Sequence, residues 1–558
     1  MHLKDHEWVE SMMSRMTLEQ KVAQSIFVAG FAHSNKCNEE ELAEYVDDLS
    51  IGGITFFQGE VRKQAQLINY LQEKSRFPLM MTIDAEWGLG MRLSDADDYP
   101  YQIALGAIED NANVYWFGDR IAKQCKALGF HSALGPVIDI NNNPDNPVIS
   151  FRSFGEDKND VLEKANKIVT AYKLNRLLDC IKHFPGHGDT HIDSHLELPV
   201  LEFDNERLEA VELFPFKKLI DEGASSVMVA HLKVKAWDDL PVSISKKIIK
   251  EKLREELGFE GLVISDALDM GALTSLYSRD EIGYMAYNAG NDILLNCPEP
   301  RSTIGKVFSA VEKGDISLEE VESKCRRILA AKLWLGLSED QHLDIDQVEN
   351  FLKNDQEALI LNKKLAEYSL TLLKNDDNRL PFRKPEVKDL AILYINNQQR
   401  TRTVREEVAH HLIALENDEK DELALLEQYY LGADIHMLSG GESYEDIHSL
   451  IGSKSPVLIF RNGNMKPFNN FDISDELIGL VDDVLEKTNG VFMFLGNPLA
   501  LQCFKKLLSA SVILMGYQSS AFTLEAIVRA SCGWGKVNGK LPVNIGNIFR
   551  AGERIGLY

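Results

Sequence analysis

Residues 178–195 read Leu-Asp-Cys-Ile-Lys-His-Phe-Pro-Gly-His-Gly-Asp-Thr-His-Ile-Asp-Ser-His. The first six contain Leu178, Cys180 and Ile181, apolar residues of the kind found in buried β-strands, and the proline and glycines after them favour a loop. Two ionisable side chains, Lys182 and His183, stand at the end of the predicted strand. The stretch therefore predicts a strand whose carboxyl end leads into a loop rich in polar groups.

Seven more runs of this kind occur in the first 340 residues, separated by segments with the 3.6-residue period of a helix. The eight predicted strands are Ser25–Ala29, Gly53–Phe57, Leu79–Asp84, Ser132–Asp139, Leu178–His183, Ser226–His231, Gly261–Asp266 and Asp292–Asn296. Buried strands alternating with helices are typical of parallel βα units, and eight such units predict a (β/α)8 TIM barrel. A doubly wound parallel sheet stays open, because closure is not visible in a sequence.

The rest of the chain predicts a second domain, since 558 residues are more than a single hydrophobic core usually organises. A charged helical segment follows the barrel. Strands then return at Leu390–Ile395, Val457–Arg461, Val491–Leu495 and Val512–Gly516. We predict a catalytic barrel over residues 1–340, a helical linker over 341–365 and a smaller α/β sandwich domain over 366–558.

Composition excludes some classes of partner. The formal net charge is −26 at pH 7, and an acidic protein lacks the basic face that nucleic acid or an anionic membrane requires. The seven cysteines are scattered, which favours buried free thiols in a reducing compartment. The amino-terminal residues contain no apolar signal segment, so we expect a cytoplasmic protein, or a secreted or periplasmic one if a leader was removed.

Asp193 and His195 form the first candidate catalytic group. An imidazole titrates near neutral pH, and a carboxylate two residues away can orient it and stabilise its charge. The pair therefore suits proton transfer. The spacing equally allows a local contact within the loop that has no catalytic role.

A metal site is the alternative for the same loop. His187, His191 and His195 are four residues apart, which on a helix would place three imidazoles on one face to bind zinc. Pro185 and the glycines beside it disfavour a helix, and the glutamate of zinc-peptidase motifs is missing. We predict no metal site, and nothing in the sequence calls for a cofactor.

Residues 182–195 resemble the signature of the β-N-acetylglucosaminidase (β-hexosaminidase) branch of the family-3 glycoside hydrolases. Members of that branch use an Asp-x-His pair on this loop as general acid/base. The resemblance implies that His195 is the acid/base and that Asp193 orients it.

A retaining glycosidase also needs a carboxylate nucleophile. Asp266 ends the run Gly261-Leu-Val-Ile-Ser-Asp266, so its carboxylate would be fixed and partly desolvated at the barrel mouth. It also matches the nucleophile of the family motif, although Ala267 and Asp269 depart from that motif. Asp269 is the competitor, and we expect it in the first turn of a helix, where acidic side chains are common.

Other polar residues are predicted to lie at the carboxyl edge of the barrel, where barrel enzymes build their active sites. The resemblance implies sugar-binding roles for Asp84 and Arg92, in the run Thr82-Ile-Asp-Ala-Glu-Trp-Gly-Leu-Gly-Met-Arg92. The complete predicted substrate site is Asp84, Arg92, Arg152, Lys182, His183, His231 and Met228. For Met228, packing in the core is an equally good explanation.

The resemblance implies a retaining exo-β-N-acetylglucosaminidase that releases terminal GlcNAc from peptidoglycan fragments or chito-oligosaccharides through a glycosyl-enzyme intermediate. Three alternatives stay open: a β-N-acetylglucosaminide phosphorylase on the same scaffold, a β-glucosidase whose acid/base is a carboxylate of the second domain, and a sugar-binding protein without catalysis. We expect a small carbohydrate as the partner, and a monomer or homodimer.

Overall fold

The computed structural model describes residues 3–33, 35–397 and 415–556. They form two compact units. The first comprises Met1–Tyr99, Val114–Ile140 and Val161–Asp355, and the second comprises Pro100–Asn113, Asn141–Asp160 and Gln356–Tyr558. The predicted bounds follow the order of the sequence and assign 100–113 and 141–160 to the barrel, whereas these two excursions belong to the second unit.

The first unit contains a ring of eight parallel segments. Six are strands: Phe27–His33, Gly53–Gly59, Met80–Ile83, Ile181–Phe184, Ser226–Val229 and Leu262–Ser265. The first three pair in parallel, as do the last three. Isolated parallel bridges complete the ring, and these are Thr82 with Ser132, Ser132 with Leu178, Val137 with Lys182, Ile264 with Ile293 and Leu294 with Ile26. The ring returns to its first strand, so the predicted barrel is confirmed and the doubly wound sheet is wrong.

Helices alternate with these segments, because their apolar residues recur with the period of a helix. In Val61–Lys74, for example, Val61, Ala65, Ile68 and Leu71 are all buried. The α-helices up to Asp355 are Glu7–Arg15, Leu18–Ala23, Glu39–Glu44, Val61–Lys74, Gln102–Ala107, Ala112–Ala127, Lys158–Leu174, Asn205–Ala210, Leu213–Asp221, Gly271–Thr274, Arg279–Ala289, Pro300–Lys313, Leu318–Trp334 and Ile345–Lys353. Of these, Gln102–Ala107 belongs to the second unit. Two short strand pairs, Lys36–Cys37 on the first strand and Val200–Leu201 with Lys233–Val234, complete the unit.

Within the residues that the structure describes, the second unit is built on a six-stranded sheet. In spatial order the strands are Thr371–Asn375, Val512–Gly516, Val491–Leu495, Ser455–Arg461, Leu390–Asn396 and Asp434–Leu438. The first pairs antiparallel and the others are parallel. Its helices are Gln356–Ser369, Leu415–Tyr429, Tyr444–Ile451, Asn469–Asp472, Asp475–Thr488 and Ala521–Ser531.

Each face of this sheet carries its own apolar core, because side chains alternate along a strand. Leu393 and Ile395 contribute to one core, and Ile392 and Tyr394 to the other. A sheet with a packed layer on both sides is the predicted α/β sandwich, which is confirmed.

The seven cysteines are all unpaired, and four of them are buried. Burial raises the pKa of the Cys297 thiol to about 11, which keeps it protonated and inert. Across the described part of the chain, no helix has the length and apolar character needed to cross a membrane.

Candidate active site

Four strands of the barrel carry ionisable residues at or just beyond their carboxyl ends. Asp84 follows Met80–Ile83, and Asp266 follows Leu262–Ser265. Lys182 and His183 belong to Ile181–Phe184, and His231 lies two residues beyond Ser226–Val229. Parallel strands in a barrel end on one face, so these side chains share the face where barrel enzymes bind substrate. We call them, together with Arg92, which contacts Asp84, the strand-end cluster.

Asp84 is held between two cations. Its carboxylate lies 3.0 Å from Lys182 Nζ and 2.5 Å from an Arg92 guanidinium nitrogen. Burial acts to raise the pKa of Asp84, but the charges of Lys182 and Arg92 outweigh it and hold that pKa far below its usual range. Asp84 is therefore a permanent anion with fixed geometry, suited to accept hydrogen bonds from vicinal sugar hydroxyls.

Glu86 also belongs to this cluster, although the sequence did not single it out. Its Oε1 lies 2.8 Å from Lys182 Nζ, and both side chains are buried. Burial of an unpaired ammonium group would cost a large free energy. The carboxylates of Asp84 and Glu86 offset that cost for Lys182. The position of Glu86 in the same sequence run as Asp84 was the only available signal.

Arg92 is supported by aromatic rings that were also not predicted. Its guanidinium carbon lies 4.8 Å from the centroid of the Phe57 ring, an arrangement with cation–π character. Phe57 stacks on Phe31, and Lys36 Nζ lies 3.5 Å from the Phe31 centroid. The stacked rings of Phe57 and Phe31 limit the orientations of the Arg92 side chain, and so stabilise its contact with Asp84.

His183 is oriented by the buried Asp139. The carboxylate lies 2.7 Å from His183 Nδ1 and also accepts a hydrogen bond from the His183 backbone nitrogen. Burial acts to raise the pKa of Asp139, but the neighbouring His183 lowers it more, and the net shift is downward. The ionised Asp139 thus holds the His183 ring in place through Nδ1.

Asp193 and His195 are in contact, as the spacing predicts. Asp193 Oδ1 lies 2.8 Å from His195 Nδ1 and accepts a hydrogen bond from the His195 backbone nitrogen at 2.9 Å. The histidine side chain is 63% exposed, whereas that of Asp193 is 12% exposed. The carboxylate is thus sheltered beneath a ring that solvent and substrate can reach.

Asp266 lies within electrostatic reach of three histidines. Burial acts to raise its pKa, but His231, His183, a hydrogen bond from the Ala267 backbone nitrogen at 2.8 Å and His195 lower it, and the net shift is downward. Asp266 is therefore ionised at neutral pH, as a nucleophile must be. Asp269 is exposed and precedes the helix Gly271–Thr274, so its expected place in a first helical turn is wrong.

His231 and Met228 both have neighbours within the protein, and their sugar-binding roles stay predictions. Both ring nitrogens of His231 are used within the protein, with Nδ1 2.7 Å from Ser243 Oγ and Nε2 2.8 Å from the carbonyl oxygen of Ala267. A carbonyl only accepts, so Nε2 carries the proton, and the ring holds the backbone just after Asp266. Met228 belongs to the barrel core with Met80 and Ile264, which is the packing alternative.

Arg152 belongs to the second compact unit. It ends the 3-10 turn Ser150–Arg152, where a guanidinium nitrogen donates to the carbonyl oxygen of Val148 at 3.3 Å. Its sugar-binding role stays a prediction. The helix that would bring His187, His191 and His195 onto one face does not form, because residues 185–197 are turns and loop.

Replacement of Asp84 by asparagine tests the pocket that Asp84, Lys182 and Arg92 form. Asp84→Asn should lower kcat/KM for a cleaved sugar by roughly ten-fold or more, because a charged hydrogen bond to the substrate is lost. Asp47→Asn is the matched control, since it removes a surface carboxylate that pairs with Lys74. Steady-state kinetics on both folded variants decides, and equal kcat/KM values would remove Asp84 from the site.

Comparison with known proteins identifies the family. The model of the glycosyl hydrolase family 3 N-terminal domain matches residues 17–331. The chain is 30% identical over 378 residues to the beta-hexosaminidase A of Pseudoalteromonas piscicida, an alignment that spans 62% of each chain. It is 26% identical over 401 residues to a beta-N-acetylglucosaminidase/beta-glucosidase of Cellulomonas fimi, covering 70% of each.

A solved structure shows the same architecture throughout. The family-3 beta-N-acetylglucosaminidase of Paenibacillus sp. str. FPU-7 superposes with a TM-score of 0.78 at 27% identity, and the match covers 95% of this chain and 99% of that one. The family match extends over more than half of the chain and contains every residue of the strand-end cluster. This protein belongs to glycoside hydrolase family 3.

Proposed function

We propose that the protein is a retaining exo-β-N-acetylglucosaminidase that cleaves terminal β-linked GlcNAc. The observation that carries the proposal is the pairing of Asp193 with His195 at 2.8 Å, within electrostatic reach of an ionised Asp266. A nucleophile and a separate proton donor are the two groups that retention requires.

The proposed mechanism has two steps. The carboxylate of Asp266 attacks the anomeric carbon, the glycosidic bond breaks, and His195 gives a proton to the departing oxygen. In the second step the same imidazole takes a proton from water, which attacks the anomeric carbon and releases Asp266 as a carboxylate. Asp193 stabilises the imidazolium whenever His195 is charged.

The terminal sugar would be held by the strand-end cluster. Asp84 would accept hydrogen bonds from its hydroxyls, while Arg92 and Lys182 keep that carboxylate ionised. His183 would contribute its imidazole. Peptidoglycan fragments and chito-oligosaccharides both end in β-linked GlcNAc, and either is a fitting natural substrate. The names of the Pseudoalteromonas and Paenibacillus relatives support the choice of sugar.

Phosphorolysis is the second candidate function, because the proposed acid/base is an imidazole and not a carboxylate. Once Asp266 is covalently bound to the sugar, the dyad presents an imidazole to the acceptor, and the side chain of Asp193 is largely covered. An exposed carboxylate would repel phosphate at this position, whereas an imidazole does not. The same intermediate would then yield GlcNAc 1-phosphate.

One assay separates these functions. Purified protein is supplied with p-nitrophenyl β-GlcNAc or p-nitrophenyl β-glucoside, each with and without inorganic phosphate, and both phenol and sugar products are measured. We expect preference for the GlcNAc substrate and release of free GlcNAc. Accumulation of GlcNAc 1-phosphate would establish the phosphorylase, preference for the glucoside would establish the β-glucosidase, and no turnover of either would contradict the proposal.

A further inference from the structure

Ser194 lies between the two residues of the acid/base pair but points the other way. The His195 side chain is largely exposed, whereas Ser194 is only 2% exposed. Its Oγ lies 3.2 Å from Nε2 of His187, which is itself 1% exposed. The loop that carries the acid/base is thus tied to the interior through the residue in its middle.

His187 has a second hydroxyl partner and an anchored backbone. Its Nδ1 lies 2.7 Å from Thr190 Oγ1, and its backbone nitrogen donates to Asp139 at 2.7 Å. Asp139 is the carboxylate that orients His183. One continuous set of polar contacts therefore joins a predicted sugar-binding histidine to the loop of His195.

The imidazole of His187 is neutral under ordinary conditions. Burial, together with the neighbouring His183, lowers its pKa to about 4. A neutral imidazole offers one donor and one acceptor, and a hydroxyl can take either part. Both tautomers therefore satisfy Thr190 and Ser194 at the same time.

The backbone of the loop is fixed from another side by the segment that follows the nucleophile. The nitrogen of Gly271 donates to the carbonyl oxygen of His195, and that of Ala272 donates to the carbonyl oxygen of Ser194, each at 3.2 Å. A Cβ atom at Gly271 would lie 2.5 Å from the His195 oxygen, so only glycine permits this approach. With the backbone held at these two carbonyl oxygens, the remaining motion of the loop is rotation about them. The side-chain hydrogen bond of Ser194 limits that rotation.

We propose that His187 is a positioning residue, which holds the Asp193–His195 pair in its catalytic orientation through its hydrogen bond to Ser194. The inference rests on the proposed function, in which His195 is the acid/base. If the bond is lost, the loop can turn and His195 reaches the leaving oxygen less often. The nucleophile and the sugar pocket keep their own contacts, so the loss should resemble a defect in proton donation rather than in folding.

Two amide substitutions separate the contacts of the imidazole. A glutamine side chain places its terminal nitrogen or oxygen near the position of Nε2, and asparagine places its own near Nδ1. His187→Gln should keep the contact with Ser194, and His187→Asn should keep only that with Thr190. Ser194→Ala removes the same bond from the other partner, and His191→Asn is the matched control, since His191 is an exposed histidine of the same loop.

We expect a dependence on the leaving group. In His187→Asn and Ser194→Ala, kcat/KM for chitobiose should fall roughly ten-fold or more, and that for 2,4-dinitrophenyl β-GlcNAc should fall much less. Azide should accelerate turnover of the aryl substrate in both variants. His187→Gln should recover most of the activity that His187→Asn loses, and His191→Asn should match the unmodified protein. The double variant His187→Asn, Ser194→Ala should be no less active than either single variant, because both changes remove the same bond.

A readout that does not need catalysis keeps the inference separate from the proposed function. Amide hydrogen exchange over residues 189–197 should become faster in His187→Asn and Ser194→Ala, but not in His187→Gln. Equal exchange in all variants overturns the inference, as do equal losses on both substrates or identical behaviour of the two amides. If the unmodified protein cleaves neither substrate, the proposed function fails, and the exchange pattern still decides whether His187 holds the loop.

Discussion

Asp266→Asn should lower kcat on p-nitrophenyl β-GlcNAc by about 10⁴-fold or more, because an amide cannot form the glycosyl-enzyme intermediate. The substitution preserves size and leaves the backbone bond from Asp266 to Val229 in place. We therefore expect little change in the melting temperature. Initial rates and a thermal unfolding scan on the same preparation measure the two quantities.

Asp269→Asn is the matched control for that experiment. Asp269 is exposed and lies three residues beyond Asp266, so the control changes the same chemical group in the same segment. It should keep most of the activity. A complete loss there, with near-normal turnover in Asp266→Asn, would transfer the nucleophilic role to Asp269. Labelling with a fluorinated glycosyl inactivator followed by peptide mapping gives an independent answer.

His195→Ala should produce a large effect that depends on the substrate. On chito-oligosaccharides, whose leaving groups are poor, kcat/KM should fall by about 10²–10⁴-fold, the usual contribution of a general acid. With 2,4-dinitrophenyl β-GlcNAc the first step needs little protonation and should survive. The intermediate then waits for a base, so a rapid burst of phenol followed by slow turnover is expected in stopped-flow traces.

Asp193→Ala should show a milder form of the same profile, because the imidazole remains but loses the partner that lies 2.8 Å from Nδ1. Equal losses on good and poor leaving groups in the His195 variant would rule out an acid/base role. Retention of full oligosaccharide activity in either variant would point to a carboxylate elsewhere as the proton donor, as expected of a β-glucosidase.

The barrel could be predicted because its strands are buried on both faces and therefore appear as short apolar runs. All eight predicted runs overlap the segments of the ring. In the second unit both edge strands, Thr371–Asn375 and Asp434–Leu438, were missed. Asp434–Leu438 is only partly buried, with Asp434 and Met437 exposed, so it leaves a weak apolar signal in the sequence. The excursions at 100–113 and 141–160 were missed because nothing in a local pattern reports which distant residues a segment packs against.

The positions of candidate site residues could be predicted where an ionisable residue stands at the end of a strand, as for Asp84, Lys182 and Asp266, and their roles stay predictions. The site could not be predicted where the partner comes from another strand. Asp139 meets His183 across 44 positions of sequence, a contact that only the closed ring brings about. His231 was expected at the sugar, and its actual bonds to Ser243 and Ala267 depend on backbone positions that no residue pattern encodes.

The two excursions have a consequence for anyone who wishes to dissect this protein. The polypeptide passes from one compact unit to the other five times, so no single cut separates them. In the excursion 100–113, Ile103 and Ala107 are buried in an apolar cluster with Leu541 and Val543. A fragment that stops after Asp355 would leave those side chains without their partners and expose them to water. Truncation to an isolated barrel should therefore yield an aggregating product, and a trimmed catalyst would need the excursions redesigned first.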